Sequence, residues 1–298
     1  MKPESRGLLD RLGGPVIVFG VVGLVVGAAL VPYAWNTTRG PDGTVAVIEV
    51  HGTINGDTAT AAIDAMREAR QNESIEAVVL DVNSRGGTAS ASEQLYLAVK
   101  ETKQEMPVVA SVTGLAASGG YYTSAPADAI YVAPANAIGS IGVRATVPPQ
   151  DTPDNQITSG PDKYSTATES EARQRVETLR RAFVGAVYEE RSDELELSRE
   201  ELSHGKVYSG SEGVELGLAD EVGGIDAAID DAAGRAGLSD YETTRVESPS
   251  PSTLSQIGLN ASESDGPTVE SVRYFMIHGQ LNVGGSADRT EVTRNGTN

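Results

Sequence analysis

The stretch Ile75–Gln104, IEAVVLDVNSRGGTASASEQLYLAVKETKQ, contains one complete turn of the fold. Ile75–Val82 is an apolar run of strand length that reads as a buried strand, and it stops at the loop Asn83-Ser84-Arg85-Gly86-Gly87. Ser90–Gln104 then reads as a helix. The same unit recurs outward in both directions. Upstream, Val45–Val50 is a β-branched run ending at Gly52, and Thr58–Arg70 is helical in pattern. Downstream, Val108–Val112 and Ile130–Val132 read as further strands. Strands and helices alternating at this spacing imply parallel pairing through crossover helices, hence an α/β fold. Farther along, Glu169–Arg191 is a long amphipathic helix with Val176, Leu179, Phe183 and Val187 on one face, and Ile225–Ala236 is a later helix ending before Gly237.

Both ends of the chain differ from this middle. Pro15–Trp35, PVIVFGVVGLVVGAALVPYAW, has no charged residue. At 1.5 Å per residue, roughly 20 such residues cover a bilayer core of about 30 Å, and Tyr33 and Trp35 stand where an interfacial aromatic belt would be. Lys2, Arg6 and Arg11 precede the run, so the expectation is one transmembrane helix with residues 1–14 cytoplasmic and the rest exported to the outer face of the cell membrane. A cleaved signal would carry a shorter apolar stretch. Residues 36–44 read as a linker and 45–247 as the folded domain. From Ser248 to Asn298 the composition turns to Ser, Pro, Glu and Asn, a largely flexible tail whose apolar island Val272–Ile277 is a segment able to dock on the domain. Sequons at Asn36, Asn72, Asn260 and Asn295 are compatible with export.

Composition narrows the chemistry. The 298 residues carry Lys+Arg 23 against Asp+Glu 42, a net charge of −19, which is the wrong sign for a nucleic-acid surface. Cysteine is absent, which removes disulfides, thiol nucleophiles and thiolate metal sites. His51, His204 and His278 are scattered without metal-ligand spacing, so no metal is expected. Only Lys2, Lys100, Lys103, Lys163 and Lys206 are lysines, and arginine supplies the other cations. An acidic surface short of lysine suits a salt-rich medium, where at 1 M the Debye length is already about 3 Å.

Three glycine-rich places follow strands. Ser84-Arg85-Gly86-Gly87 precedes a helix, and its amides, free of Cβ obstruction, suit an oxyanion or a phosphate. Leu115-Ala116-Ala117-Ser118-Gly119-Gly120-Tyr121-Tyr122 presents a serine between small residues at the start of a helix. Gly139-Ser140-Ile141-Gly142-Val143 is a tight turn into a strand. Each alone also fits structural punctuation.

In this order, AASGGYY followed by GSIGV resembles the signal peptide peptidase A family of membrane-bound serine peptidases. The resemblance runs from about Val45 to about Val246 and includes the closing segment GLADEVGG, Gly217–Gly224. It implies a ClpP/crotonase-like spiral of ββα units, with Ser118 as nucleophile and Lys163, in Ser159-Gly160-Pro161-Asp162-Lys163, as its base. It further implies an oxyanion hole from the amides of Gly87 and Gly119, and substrate contacts at Gly86, Ser140, Ile141 and Gly142. A buried lysine can lose its proton where arginine cannot. No cofactor is implied. The implied partners are signal peptides and other membrane-derived or unfolded segments as substrates, membrane lipid around residues 15–35, and further copies of the chain. Two features depart from the family: Arg85 stands where a proline usually precedes the Gly pair, and the segment Val143–Lys163 is short. Two other classes share these elements. A crotonase-like acyl-thioester enzyme would use the amides but has no reason to keep Ser118. A membrane-anchored scaffold with a decayed site, working with a stomatin-like partner, has no reason to keep Ser118 and Lys163 together.

Overall fold

The computed structural model describes residues 40–147, 168–246 and 273–278, together with Phe19, Leu24 and Ser159. The rest of the apolar run Pro15–Trp35, and Lys163, lie outside those residues. Among the described residues no helix is long and apolar enough to cross a membrane.

The α/β alternation is present. Strand β1 (Gly43–Ile54) pairs in parallel with β2 (Ile75–Thr88) through the crossover helix α1 (Gly56–Gln71), from Val45↔Ala77 to Ile54↔Gly87. Helix α2 (Ala89–Lys103) leads to β3 (Val108–Ala117), again parallel to β2. Strand β3 then serves two neighbours. Its first half, Val109–Val112, faces β4 (Ala129–Val132), and its last residues, Leu115–Ala117, face β5 (Ala137–Gly139). The sheet turns there, and the site lies at the turn. Helix α3 (Gly119–Ser124) begins where β3 ends, and β6 (Arg144–Thr146) follows β5. The remaining elements close the molecule: α4 (Glu169–Arg191), α5 (Arg199–Ser203), β7 (Val207–Ser209), α6 (Gly210–Glu215), β8 (Glu221–Val222), α7 (Ile225–Arg235) and β9 (Tyr241–Arg245). Strand β10 (Arg273–Ile277) lies antiparallel to both β2 and β6.

The central strands are near-continuous apolar runs because both faces are covered. Ile48, Val50, Leu80, Val82, Ala110 and Val112 pack on one face with Phe183 of α4. Val45, Val47, Val79 and Val109 pack on the other with Ala228, Ala232 and Ala233 of α7. Small alanines let that short helix lie close to the sheet.

Several boundaries differ from the sequence reading. Strand β2 does not stop at Val82; it runs through the glycine loop to Thr88, with a register irregularity between Val82 and Ser84. Strand β1 also continues to Ile54 and runs in parallel register with the loop. Likewise β3 continues from Val112 to Ala117. In the tail read as flexible, the apolar island forms β10; residues 247–272 and 279–298 lie outside the described residues.

Candidate active site

Ser118 stands at the junction of β3 and α3 with φ 55° and ψ −116°. A non-glycine residue held there stores strain on the order of 1–3 kcal/mol, the conformation of a sharp strand-to-helix turn that sets a side chain at its apex. The neighbours over-determine it. Ser118 N donates to Gly139 O at 2.8 Å, Tyr122 N donates to Ser118 O at 2.9 Å, and the hydroxyl Oγ donates to Gly142 O at 3.3 Å. Two of the glycine-rich motifs therefore meet at one serine. Ser140 also has φ 55°, and its N–H donates to Lys206 O at 2.8 Å. Ile141 is buried, whereas Gly142 has open space beside it.

The third motif closes the other side. Gly86 has φ +89°, and a Cβ built on it would stand 2.6 Å from Gly119 N, so the loop and the start of α3 are in direct contact. A Cβ on Gly87 would stand 1.7 Å from Ile54 O, and one on Gly119 2.3 Å from Ser92 Oγ. Only glycine fits at these positions. The candidate residues Gly86, Gly119, Ser140 and Gly142 are thus gathered around Ser118, while Gly87 packs on Ile54 of β1 and Ile141 is buried next to Ser140 in the chain. The candidate base Lys163 lies outside the described residues.

Of the described lysines, Lys100 lies 2.6 Å from Glu190, whose hydrogen bond raises its pKa above the ordinary lysine range and keeps it charged. Lys103 lies 3.4 Å from Asp128, and Lys206 sits 4.7 Å from the centroid of the Tyr208 ring. His51 Nε2 pairs with Asp81 at 3.0 Å. His278 is the one histidine at a glycine motif, with Nδ1 3.1 Å from Ser140 Oγ.

Sequence reasoning missed Ser84. Its buried hydroxyl donates to Gly52 O at 2.7 Å and accepts from Gly86 N at 3.0 Å, pinning the glycine loop to β1. It also missed His278 and Met276, which no local pattern links to the site. Arg85, the departure from the family pattern, is half-buried and contributes its carbonyl to β10, accepting from His278 N at 2.8 Å.

A family model for peptidase family S49 matches residues 100–149 and 156–239, the segments that carry Ser118, the GSIGV turn and the closing motif. Those residues carry the pattern of peptidase family S49. Among curated relatives, Protease 4 of Salmonella typhi is 31% identical over 237 residues, covering 70% of this chain and 37% of the relative. Serine protease SPPA, chloroplastic, of Arabidopsis thaliana is 32% identical over 212 residues, covering 65% and 31%. The chain spans about a third of the length of these two relatives. Among solved structures, the 1510-N membrane-bound stomatin-specific protease, a mutant in complex with a substrate peptide, superimposes with a TM-score of 0.51 at 17% identity, covering 73% of this chain and 96% of that one. That likeness shows a shared fold.

The S49 motifs also carry their own scaffolding. Tyr121 is fully buried and donates to Leu218 O at 3.1 Å, tying α3 to the closing motif. Tyr122 stacks on Tyr96 with centroids 4.6 Å apart and donates to Glu93 at 2.6 Å. Within GLAD, Asp220 accepts a forked pair of bonds from Arg191, both at 2.9 Å, and a third from Ile130 N at 2.7 Å. Burial lowers the pKa of Arg191, but the bonds to Asp220 together with the charge interactions with Tyr121, Asp220 and Glu194 raise it overall and hold the guanidinium charged.

Proposed function

We propose that the chain is a membrane-anchored serine endopeptidase with a Ser118–Lys163 dyad, acting on signal peptides and other membrane-derived or unfolded segments. The observation that supports it most is the strained turn at Ser118, with the Gly86–Gly87 loop packed against Gly119 N. In this reading Ser118 Oγ attacks the carbonyl carbon of the scissile peptide while neutral Lys163 Nζ takes its proton. The amides of Gly87 and Gly119 hold the oxyanion. Lys163 then returns the proton to the leaving amine, the C–N bond breaks, and an acyl ester remains on Ser118. Water, deprotonated by Lys163, releases the acid and restores the hydroxyl. The apolar run Pro15–Trp35 would hold the domain at the membrane where such substrates emerge.

The test is cleavage of an unfolded protein and an internally quenched signal-peptide-like peptide by the full chain in detergent at high salt. Ser118→Ala and Lys163→Ala are each expected to lower kcat/KM by about 10³-fold or more with the fold intact. Undiminished cleavage by Ser118→Ala rejects the reading, and an active Lys163→Ala variant rejects the base.

A further inference from the structure

We propose that residues Arg273–His278 of this chain occupy the groove that takes substrate, so that the resting protein is held closed by its own C-terminal segment. The inference rests on the peptidase reading above and adds to it the occupant of the groove and the regulation that follows.

Four observations carry it. First, β10 pairs with the part of β2 that forms the glycine loop: Phe275 faces Thr88, Met276 faces Gly87 and Ile277 faces Gly86. An extended peptide added to a free sheet edge is a general mode of peptide recognition. Second, the ladder runs antiparallel, and its hydrogen-bonded pairs recur every second residue. His278 N donates to Arg85 O, so the next such pair is Met276 with Gly87. Third, a Cβ built on Gly86 would stand 1.9 Å from Met276 O, and one on Gly119 would stand 2.9 Å from it. The Met276 carbonyl therefore lies between the two glycine segments assigned to the oxyanion hole, where the carbonyl of a substrate would be polarised. Fourth, the site is shut in this arrangement. Ser118 is 2% exposed and Met276 1%.

The chemistry of the segment suits this role. RYFMIH is an apolar island in a tail otherwise rich in Ser, Pro, Glu and Asn, and the Met276 side chain packs into the core cluster. Beyond it, His278 Nδ1 meets Ser140 Oγ at 3.1 Å, which fastens the segment to the GSIGV turn. The strand thus touches the Gly86–Gly87 loop and the Ser140 turn at once and must leave before a substrate strand can enter. A substrate in the same register would present an unbranched apolar residue, as Met276 does, at the bond to be cut.

Because the chain has no cysteine, a double variant Thr88→Cys/Phe275→Cys introduces the only thiols. The two residues face each other as a non-hydrogen-bonded pair, at about 4.5 Å between Cα atoms, within disulfide reach. In the full chain, oxidation is expected to close the bridge within one chain, seen as monomer mobility on a non-reducing gel. Closing it is expected to lower kcat/KM on an internally quenched apolar peptide by about tenfold, with recovery on reduction. Met276→Asp, which ejects the buried side chain, is expected to exceed the parent in kcat/KM by several-fold, and the free peptide RYFMIH is expected to inhibit that variant competitively. A bridge that does not form, that forms between chains, or that closes without slowing cleavage overturns the proposal. If every form, Met276→Asp included, neither cleaves nor is labelled at Ser118 by a fluorophosphonate, the peptidase reading itself falls.

Discussion

Ser84 holds the glycine loop by two hydrogen bonds of its single hydroxyl, one donated to Gly52 O and one accepted from Gly86 N. Ser84→Ala leaves the buried Gly86 amide without that partner, a cost of roughly 1–3 kcal/mol. In urea denaturation the midpoint is expected to fall with an unchanged m-value. In the proposed mechanism the loss falls on kcat more than on KM, since the loop amides act on charge that develops in the transition state. A variant with parental midpoint and parental kcat would show that the loop is held by its ladder to β1 alone. At this scale the residue types in the sequence already point to the site: glycines at 86, 87 and 119 and a serine at 118. The partners of Ser84 were not legible, because Gly52 comes from a different strand and reaches it only through the β1–β2 register.

At the scale of elements, α4, α5 and α6 begin with the same device. Thr168 with Glu171, Ser198 with Glu201 and Ser209 with Glu212 form capping boxes in which each side chain bonds the other's backbone. The hydroxyls of Thr168 and Ser198, and the Ser209 amide with its hydroxyl, hold the three glutamates below the usual carboxylate pKa. A carboxylate with a lowered folded pKa contributes stability that is complete above its unfolded value, about 4.3, and is lost as pH falls through the folded value. The triple Glu→Gln variant keeps the hydrogen-bonding shape but cannot titrate. Far-UV circular dichroism from pH 7 downward is expected to show a shallower acid loss of helix in the variant than in the parent. Identical acid midpoints would mean that the boxes do not contribute to acid unfolding. Such boxes are readable in sequence because cap and acceptor lie three residues apart; the short helices α5 and α6 went unread because they hold too few apolar residues to show a period.

At the scale of the whole molecule, the buried Arg191–Asp220 fork joins α4, the closing motif and the start of β4. Arg191 is 3% exposed. Asp220→Ala leaves that charge buried without its carboxylate partner, held only by Gly217 O, and is expected to cost roughly 3 kcal/mol, read from chemical denaturation. Pairing it with Arg191→Met removes the stranded charge and is expected to recover most of the loss, so the double-mutant cycle gives a clearly non-additive term. Additive losses would mean that the fork is spectator to the fold. Because Tyr121 is tied to Leu218 two residues before Asp220, loosening this joint is also expected to disturb the turn at Ser118.

The sequence by itself determined the α/β class, the main strands and helices and the glycine motifs, because each is written in periodicity, β-branching or short spacing between near neighbours. It also carried the likeness to family S49, through motifs short enough to be read within one loop each. The tertiary structure alone decided that β2 and β3 continue through their glycine loops, since a backbone amide becomes part of a strand only when a partner strand lies beside it. It alone brought Gly142, Gly86 and Ser84 around Ser118, and it alone turned the island Arg273–Ile277 into a strand on the glycine loop. Contacts between residues more than 150 positions apart, such as Met276 with Gly87, leave no local pattern; they exist only once the sheet has set the register that makes them neighbours.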